Sequence, residues 1–320
     1  MKEVFMTYKL PDAAVAKIEQ HFSVAVGTED RHLTKEEIID GAKGKQALVT
    51  LLSDNVDREV IEALPQLEVI ANYAVGTNNI DIAGATEKKV KVTNTPGVLT
   101  DATADLTWAL ILAVTRRIPE GDRMMRDGQF TGWAPELLLG SELNGKTLGI
   151  IGFGRIGMAV AKRAAGFNMP VIYHSRRQKS PVIEGELKAS YRSMEGLLAE
   201  ADLVTLHLPL TEQSHYFIDE AVFKRMKDSA YLINTARGPI VKEEALVSAL
   251  ENGEIAGAAL DVYEHEPLVH QRLIGMNNVV LAPHTGSATV ETRNRMAEMV
   301  ADNVIAALNG DTPPNWVNPF

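Results

Sequence analysis

The sequence predicts an α/β fold built from two doubly wound parallel-sheet domains. Short apolar runs alternate with helical patterns along most of the chain, which is typical of βαβ units in a parallel sheet. The length of 320 residues indicates two domains, because an average domain has roughly 150 residues. Two long helical segments interrupt the alternation, and they indicate where the chain leaves one sheet and later returns to it.

The predicted strands are apolar runs bounded by turn residues or helical patterns. Parallel strands end at the same edge of their sheet, and open α/β sheets bind ligands at that edge. Polar residues directly after these runs are therefore candidates for a functional site. The predicted strands are Val4–Tyr8, Ala47–Leu51, Leu67–Ala71, Val90–Val92, Thr147–Ile151, Val171–Tyr173, Leu203–Leu206, Ala230–Ile233, Gly257–Leu260 and Val279–Leu281.

The first long helical segment is Asp101–Arg117. Thr100 or Asp101 can cap its N-terminus, and Pro119 is expected to end it. The second is Ala288–Leu308, which is expected to end near Gly310.

These two helices predict the domain boundaries. No strand pattern occurs between the first helix and residue 143, so one α/β unit ends here and another begins. The second helix would carry the chain back to the first unit. We therefore predict a discontinuous domain of residues 1–100 plus 289–320, and a continuous domain of residues 101–288.

Composition excludes several classes of function. The 32 basic and 42 acidic residues give a net charge of −10, which disfavours a general nucleic-acid binder and means that an anionic substrate needs a local positive cluster. The absence of cysteine excludes disulfides and thiolate metal sites, and no metal site is predicted. The charged N-terminus lacks a signal pattern, and the longest apolar stretch is too short for a membrane span. We expect a cytoplasmic protein without membrane association.

A glycine turn follows the strand Thr147–Ile151. Gly152 permits a tight turn, Gly154 lets a pyrophosphate approach the backbone, and Gly157 lets helix and strand pack closely. The helix that follows would present free N–H groups to phosphates. The pattern predicts dinucleotide binding; the alternative is a tight glycine turn without a ligand.

The end of the next strand favours NADPH over NADH. Its last residues lead into Ser175, Arg176 and Arg177, without the carboxylate that commonly binds the ribose 2′-hydroxyl of NAD. A hydroxyl and two guanidinium groups suit a 2′-phosphate instead. The alternative is a solvated charge run that continues to Lys179, and NAD stays possible as the cofactor.

Three polar residues follow three successive strands in the second half of the chain: Arg237, Glu266 and His284. Reduction of a 2-keto acid needs a cation for the carboxylate and a proton donor for the ketone oxygen. Histidine suits the second role, and a neighbouring carboxylate orients it and tunes its pKa. Each residue alone has an ordinary interpretation, as a surface charge, a loop acid and a turn residue.

With these residues in place, the chain resembles the D-isomer-specific 2-hydroxyacid dehydrogenases along nearly its whole length, and most closely their glyoxylate/hydroxypyruvate reductase branch. The segments that carry the resemblance occur in the family's order and spacing. They are Leu52–Asp57, Ala74–Asp81, Asn94–Asp101, Gly149–Gly157, Asn234–Gly238, Asp261–Pro267 and Pro283–Ala288.

The resemblance implies a Rossmann dinucleotide-binding domain for residues 101–288 and a flavodoxin-like substrate domain for residues 1–100 plus 289–320. It implies that glyoxylate is reduced to glycolate and hydroxypyruvate to D-glycerate. Arg237 would bind the carboxylate and keto oxygen, His284 would donate the proton, and Glu266 would be its partner. The family has its catalytic acid directly before the proline, and here the residue before Pro267 is Glu266. Glu264 and His265 are therefore expected to be neighbours without a catalytic role.

The resemblance also implies contacts with each ligand. The backbone of Val75 and Gly76 would hold the substrate carboxylate, and Leu52 would line the substrate pocket. Asp261 would face the nicotinamide carboxamide. The remaining expected cofactor contacts are Thr103, Gly152, Gly154, Arg155, Ile156, Gly157, Ser175, Arg176, Arg177, His207, Pro209, Thr235, Ala236 and Gly286.

The resemblance implies a homodimer, formed through the region of the two long helices and the loop Phe130–Leu139. The segment Asp127–Gly140 contains Phe130, Trp133 and the run Leu137–Leu139, and exposed apolar residues in a loop often form an interface. The alternative is that they pack on their own domain.

Two other functions are possible from the sequence. The enzyme could act on another substrate, such as a branched 2-keto acid, phosphohydroxypyruvate, formate or phosphite. The same fold also serves as a dinucleotide-sensing, corepressor-like binding protein, which keeps the three polar residues.

Overall fold

A computed structural model describes residues 1–28 and 30–320. It contains two parallel sheets with helices packed on them, which confirms the α/β prediction. The chain divides into a first unit, Met1–Leu99 with Ser287–Phe320, and a second unit, Thr100–Gly286. No helix among the described residues is both long enough and apolar enough to cross a membrane.

The first unit is a five-stranded parallel sheet in which the strands, numbered in chain order, follow the flavodoxin-like order 2-1-3-4-5. Its central strands are buried on both faces, and the C-terminal helix Val290–Asn309 packs Met296, Val300 and Val304 into the core. The other elements are β1 (Glu3–Met6), α1 (Asp12–Glu19), β2 (Ser23–Val26), α2 (Lys35–Ala42), β3 (Ala47–Thr50), α3 (Arg58–Ala63), β4 (Val69–Asn72), α4 (Ile82–Glu87) and β5 (Lys91–Thr93).

The second unit begins with α5 (Thr100–Thr115) and α6 (Ile118–Arg126), followed by a seven-stranded parallel sheet. Short 3-10 helices occur at Ala165–Phe167 and Gly238–Ile240. The remaining elements are β6 (Leu148–Ile151), α7 (Arg155–Ala164), β7 (Val171–His174), α8 (Pro181–Leu187), β8 (Ala189–Tyr191), α9 (Met194–Glu200), β9 (Leu203–Leu206), α10 (Glu220–Phe223), β10 (Tyr231–Asn234), α11 (Glu243–Glu251), β11 (Gly257–Leu260), α12 (Gln271–Ile274) and β12 (Val279–Leu281).

The strand order of the second sheet is β12-β11-β10-β9-β6-β7-β8. The order reverses between β6 and β9, which makes a topological switch point of the Rossmann type. Ligands of such sheets bind outside the carboxyl ends of the strands at this point. Both β6 and β9 are fully buried, so the switch point is held on a rigid part of the core.

The sequence analysis missed two strands, β2 and β8. Both lie at the edges of their sheets. Ser23 and Ser190 are exposed, and Val26 is 37% exposed, so these segments lack the apolar runs of central strands. The ten strands that were predicted are present, with ends that differ by up to two residues.

The prediction that Pro119 ends the first long helix was wrong. Helix α5 ends at Thr115, and Arg117 adopts a left-handed backbone with φ of 53°. Pro119 instead lies in the first turn of α6. A proline fits there because the first N–H groups of a helix have no intrahelical partner to lose. Thr100 is itself the first residue of α5, whereas Gly310 ends the C-terminal helix as predicted, with φ of 89°.

Candidate active site

The glycine turn lies between β6 and α7, and its three glycines have different surroundings. Gly152 has φ of 95°, and a Cβ there would overlap the carbonyl oxygen of His207. A Cβ on Gly157 would overlap the carbonyl oxygen of Gly152. A Cβ on Gly154, in contrast, would have nothing within 4 Å. Two glycines therefore allow close backbone packing, and the third borders open space.

Beside this open space lies a cavity of about 650 Å³. It starts at the glycine turn, where α7 begins with Gly154 as an N-cap that has no side chain, so the first N–H groups of the helix are available to an anion. Three cationic side chains also line it. The lining residues are Gly152, Phe153, Gly154, Ser175, Arg176, Arg177, Lys179, His207, Leu208 and Pro209.

This cavity fits a nicotinamide dinucleotide on three observations. The glycine turn is open above Gly154, the cationic residues follow the end of β7, and the Nε2 atom of His207 is buried without a hydrogen-bond partner among the described residues. Burial lowers the pKa of His207 to about 3, so the ring is neutral and leaves the positive charge to the arginines and Lys179. Ser175 Oγ donates to Arg177 O at 2.8 Å, and its lone pairs can still accept a hydrogen bond.

Arg237, Glu266 and His284 follow the carboxyl ends of β10, β11 and β12, which are neighbours in the sheet. His284 Nδ1 lies 2.8 Å from Glu266 Oε2. Partial burial acts to raise the pKa of the Glu266 carboxyl. This effect of burial is outweighed, first by the hydrogen bond and charge of His284, then by the N–H of Tyr263 and the charge of Arg237. The pKa of Glu266 therefore lies below its ordinary value.

Arg237 lies against the loop that carries Glu266. A Cβ on Gly238 would overlap the carbonyl oxygen of Tyr263, so only glycine permits this approach of the two loops. Asn234 fixes the turn, because its amide accepts from Ala236 N at 3.0 Å and donates to Arg237 O at 2.9 Å. Burial lowers the pKa of the Arg237 guanidinium and Glu266 opposes this; an arginine stays protonated in proteins nonetheless.

Asp261 holds the loop that carries His284. Its Oδ1 accepts from Thr285 N at 2.7 Å, and its Oδ2 accepts from Gly286 N at 2.8 Å. Thr103 Oγ1 donates to Gly286 O at 3.0 Å, so the loop is held from both sides. His284 has φ of 53°, a left-handed backbone that is uncommon for a residue with a Cβ. Burial raises the pKa of Asp261, although the N–H groups it accepts from oppose this.

Two residues that the sequence analysis did not single out contribute to this site. Tyr263 donates from its backbone N to Glu266 Oε1 at 3.1 Å and from its hydroxyl to Ala282 O at 2.8 Å, so it links the loops that follow β11 and β12. Thr107 is fully buried, and its hydroxyl lies 2.9 Å from Thr235 Oγ1. Neither residue has a sequence signal of its own, because each has one contact to a residue that is distant in the chain: Tyr263 to Ala282 and Thr107 to Thr235.

The neighbours of Glu266 have other roles. Glu264 accepts from the Tyr216 hydroxyl and from Glu243 N, while its own N donates to Glu243 Oε1 at 2.7 Å. It therefore belongs to a local structural cluster. The side chain of His265 is 76% exposed.

The predicted substrate residues Leu52, Val75 and Gly76 lie in the first unit. Leu52 is half-buried in the loop after β3, and the other two follow β4. The carbonyl oxygen of Val75 accepts from Asn94 Nδ2 at 2.7 Å, and that of Gly76 accepts from Asn72 Nδ2 at 2.8 Å.

Comparisons with known proteins relate this chain to one family. The model of a family described as D-isomer specific 2-hydroxyacid dehydrogenase, NAD binding domain, matches residues 108–286. A glyoxylate reductase from Thermococcus kodakarensis is 49% identical over 99% of this chain and 96% of its own length. A glyoxylate reductase from Pyrococcus furiosus is 48% identical over 99% and 95% of the two chains.

Solved structures extend the similarity to the fold. A Thermus thermophilus protein superposes with a TM-score of 0.92 at 46% identity, over 98% of this chain and 99% of that one. An NADPH-dependent glyoxylate/hydroxypyruvate reductase from Sinorhizobium meliloti, solved with NADP and malonate, has a TM-score of 0.89 at 30% identity, over 100% and 98% of the two chains.

Proposed function

The chain belongs to the D-isomer-specific 2-hydroxyacid dehydrogenase family, and we propose that it reduces glyoxylate to glycolate and hydroxypyruvate to D-glycerate with NADPH as the preferred hydride donor. The observation that carries the proposal is the His284–Glu266 pair, 2.8 Å apart, on the loops after β11 and β12 of a sheet that also holds a glycine turn and a cationic cavity. The names of the similar glyoxylate reductases support the choice of substrate.

In the proposed mechanism, Arg237 binds the substrate carboxylate and polarises the keto oxygen. The backbone N–H groups of Val75 and Gly76 bind the carboxylate as well, and Leu52 lines the substrate pocket. The bound cofactor supplies a hydride to the carbonyl carbon. His284 gives a proton from Nε2 to the oxygen, so that the C=O group becomes an alcohol.

Glu266 has a defined part in this transfer. Its carboxylate accepts from His284 Nδ1, which fixes the ring and leaves Nε2 to carry the proton that is transferred. Because the pKa of Glu266 lies below its ordinary value, the carboxylate stays ionised and stabilises the positive charge of a protonated imidazole.

The proposed cofactor contacts include residues that line the cavity. We assign the phosphates to the glycine turn and the start of α7, and the 2′-phosphate to Ser175, Arg176 and Arg177. Charge-assisted hydrogen bonds from guanidinium groups would favour NADPH over NADH. The other assigned contacts are Thr103, Gly152, Gly154, Arg155, Ile156, Gly157, His207, Pro209, Thr235, Ala236, Asp261 and Gly286.

For the nicotinamide end, the structure gives Asp261 two engaged oxygens, both of which accept backbone N–H groups of the His284 loop. We therefore assign Asp261 first to the position of that loop. An oxygen accepts more than one hydrogen bond, so contact with the carboxamide stays part of the proposal.

Residues 101–288 would then be the dinucleotide-binding domain, and residues 1–100 plus 289–320 the substrate domain.

A homodimer through the loop around Phe130–Leu139 is also part of the proposal, since Trp133 is 83% exposed and Leu139 is 63% exposed. A concentration series in analytical ultracentrifugation with wild type and Trp133→Ala tests it; a wild-type monomer at all concentrations would reject it. The cytoplasmic location stays a prediction.

Paired kinetics test the function itself. NADPH and NADH oxidation is measured with glyoxylate, hydroxypyruvate, pyruvate and a branched 2-keto acid. We expect the highest kcat/KM with NADPH and the first two substrates. Turnover of only the other acids would reject the substrate assignment, and no turnover of any 2-keto acid would reject the reaction.

A double variant tests the cofactor assignment. Ser175→Asp combined with Arg176→Ala replaces a 2′-phosphate partner by a 2′-hydroxyl acceptor, and should move the NADPH/NADH ratio of kcat/KM toward NADH by about ten-fold or more. Arg225→Ala, an exposed arginine on the same unit, is the matched control and should leave the ratio unchanged. An unchanged ratio in the double variant would reject the 2′-phosphate assignment.

A further inference from the structure

The turn that follows β4 has an unusual distribution of hydrogen bonds. Each carbonyl oxygen from residue 74 to residue 77 accepts a hydrogen bond from the protein itself. The donors are Thr95 N to Ala74 O at 2.9 Å, Asn94 Nδ2 to Val75 O at 2.7 Å, Asn72 Nδ2 to Gly76 O at 2.8 Å and Ile80 N to Thr77 O at 3.1 Å.

The N–H groups of the same turn have no such partners. Among the described residues, no acceptor takes the N–H of Val75, Gly76 or Thr77, and all three residues are partly exposed. In a trans peptide the N–H points opposite to the C=O of the same unit. Holding the carbonyl oxygens of residues 74–76 against the protein therefore turns the N–H groups of residues 75–77 away from these partners, where they are free to donate to a ligand.

Asn72 is the residue that fixes the last of these peptide units. It is the final residue of β4 and is completely buried. Its Nδ2 donates to Gly76 O and to Asn79 Oδ1, and its Oδ1 accepts from Thr50 Oγ1 at 3.0 Å. Both N–H groups and the oxygen of the amide are thus engaged, so the side chain has one orientation.

Asn79 connects this arrangement to the loop that carries Leu52. Its Nδ2 donates to Leu51 O and to Asp54 O, both at 3.0 Å. The loop after β3 and the turn after β4 are therefore joined through two neighbouring amides, and Leu52 lies between the two carbonyl groups that Asn79 holds.

We propose that Asn72 is a positioning residue for the substrate carboxylate: by holding Gly76 O it aims the N–H of Thr77, together with those of Val75 and Gly76, at that carboxylate. This inference rests on the proposed function. It adds a third backbone donor to the two in the proposed mechanism, and it assigns their alignment to a side chain that is buried at the end of β4.

Asn72→Asp is the first variant, because it keeps the shape and removes both donors. The KM for glyoxylate and the inhibition constant of oxamate, a non-reacting 2-keto acid analogue, should each rise about ten-fold or more, which is the loss of roughly one hydrogen bond to a charged group. The dissociation constant of NADPH should change less than about two-fold, since its assigned contacts lie elsewhere. The proposal would be overturned if Asn72→Asp weakened the binding of NADPH and of oxamate equally, or if it weakened the binding of neither.

Asn318→Asp is the matched control. Asn318 is a buried asparagine of the same unit, and its Nδ2 donates to Thr86 Oγ1 and Val90 O, both at 3.0 Å. This variant loses comparable buried bonds away from the turn, so the KM and the oxamate constant should stay near wild type even if the melting temperature falls. A ten-fold rise of KM here as well would assign the effect to general destabilisation and would overturn the proposal.

Asn72→Ser is the second variant, because a smaller neutral side chain is less costly to bury if the aspartate variant does not fold.

A third measurement needs no variant. In 15N-labelled wild-type protein with NADPH, oxamate should shift the amide resonance of Thr77, and an unmoved resonance would overturn the proposal. If the wild type reduces 2-keto acids and the Asn72 variants keep its KM and its oxamate inhibition constant, this inference alone is rejected. Wild type that reduces no 2-keto acid rejects the proposed function and this inference with it.

Discussion

His284 Nδ1 lies 2.8 Å from Glu266 Oε2, although 17 residues separate the two along the chain. The pair forms because β11 and β12 are parallel neighbours whose loops leave the same edge of the sheet. Asp261 fixes one of these loops and Tyr263 joins both, so hydrogen bonds between side chains and backbone hold the two loops in addition to the contact of the pair itself. A pair held in this way has its geometry before any substrate arrives.

The first prediction is that Glu266 contributes to catalysis only through His284. His284→Ala should lower kcat by about 10²–10⁴-fold, the usual contribution of a positioned general acid, and leave NADPH affinity intact. Glu266→Gln should lower kcat less, because it removes the charge but keeps a hydrogen-bonding side chain. If Glu266 acts only through His284, the double variant should be no slower than His284→Ala.

Steady-state kinetics and NADPH fluorescence titrations measure these effects. His265→Ala is the matched control, since this exposed histidine lies beside Glu266 and should be dispensable. Near-normal turnover of His284→Ala would contradict the role of the imidazole. A double variant much slower than His284→Ala would show that Glu266 has a separate function.

The second prediction concerns acid stability. The pKa of Glu266 is lowered in the folded protein, so its contribution to stability is present above its unfolded pKa of about 4.3 and is lost as pH falls through the folded value. Wild type should exceed Glu266→Gln in the free energy of unfolding near neutral pH, by on the order of 1 kcal/mol or less because the carboxylate is partly exposed. The difference should shrink below about pH 4. Urea unfolding at a series of pH values measures it, and a difference that grows on acidification would contradict the assignment.

The third prediction separates folding from cofactor binding within the glycine turn. Gly154→Ala adds a Cβ into open space, so the melting temperature of the free protein should be unchanged while NADPH binding weakens about ten-fold or more. Gly152→Ala places a Cβ against His207 O at φ of 95° and should cost about 1–3 kcal/mol of stability. Thermal melts and NADPH titrations of both variants test this. A destabilised Gly154→Ala with unchanged NADPH affinity would contradict it.

The sequence predicted the central parts of this fold because they have strong local signals. Buried parallel strands are continuous apolar runs, and the glycine turn has a spacing with a steric cause that the overlaps at Gly152 and Gly157 bear out. The edge strands β2 and β8 were missed because an edge strand is partly solvated and its residues need not be apolar.

The site shows the same division. Arg237, Glu266 and His284 could be named as candidates because each follows a strand of the sheet, but Glu264 and His265 follow the same strand as Glu266, and only the family resemblance separated Glu266 from them. Tyr263 could not, because its importance lies in two hydrogen bonds to residues on different loops. Asn72 could not either: a buried amide at the end of a strand has no pattern in the sequence that distinguishes it from other asparagines.

The last prediction concerns Arg237, the cation proposed for the substrate carboxylate. Arg237→Ala should lower kcat/KM for glyoxylate by about 10²–10³-fold, since a bidentate guanidinium–carboxylate contact contributes several kcal/mol. Arg237→Lys should recover only part of the loss, because an ammonium group cannot form the paired contact. The charge of Arg237 also helps to lower the pKa of Glu266, so the acid limb of the kcat pH profile should move to higher pH in Arg237→Ala. Guanidinium chloride at low concentration should partly restore turnover of Arg237→Ala but not of His284→Ala. A kcat/KM within about five-fold of wild type would remove Arg237 from the mechanism, because the loss of a charge-assisted contact exceeds that factor.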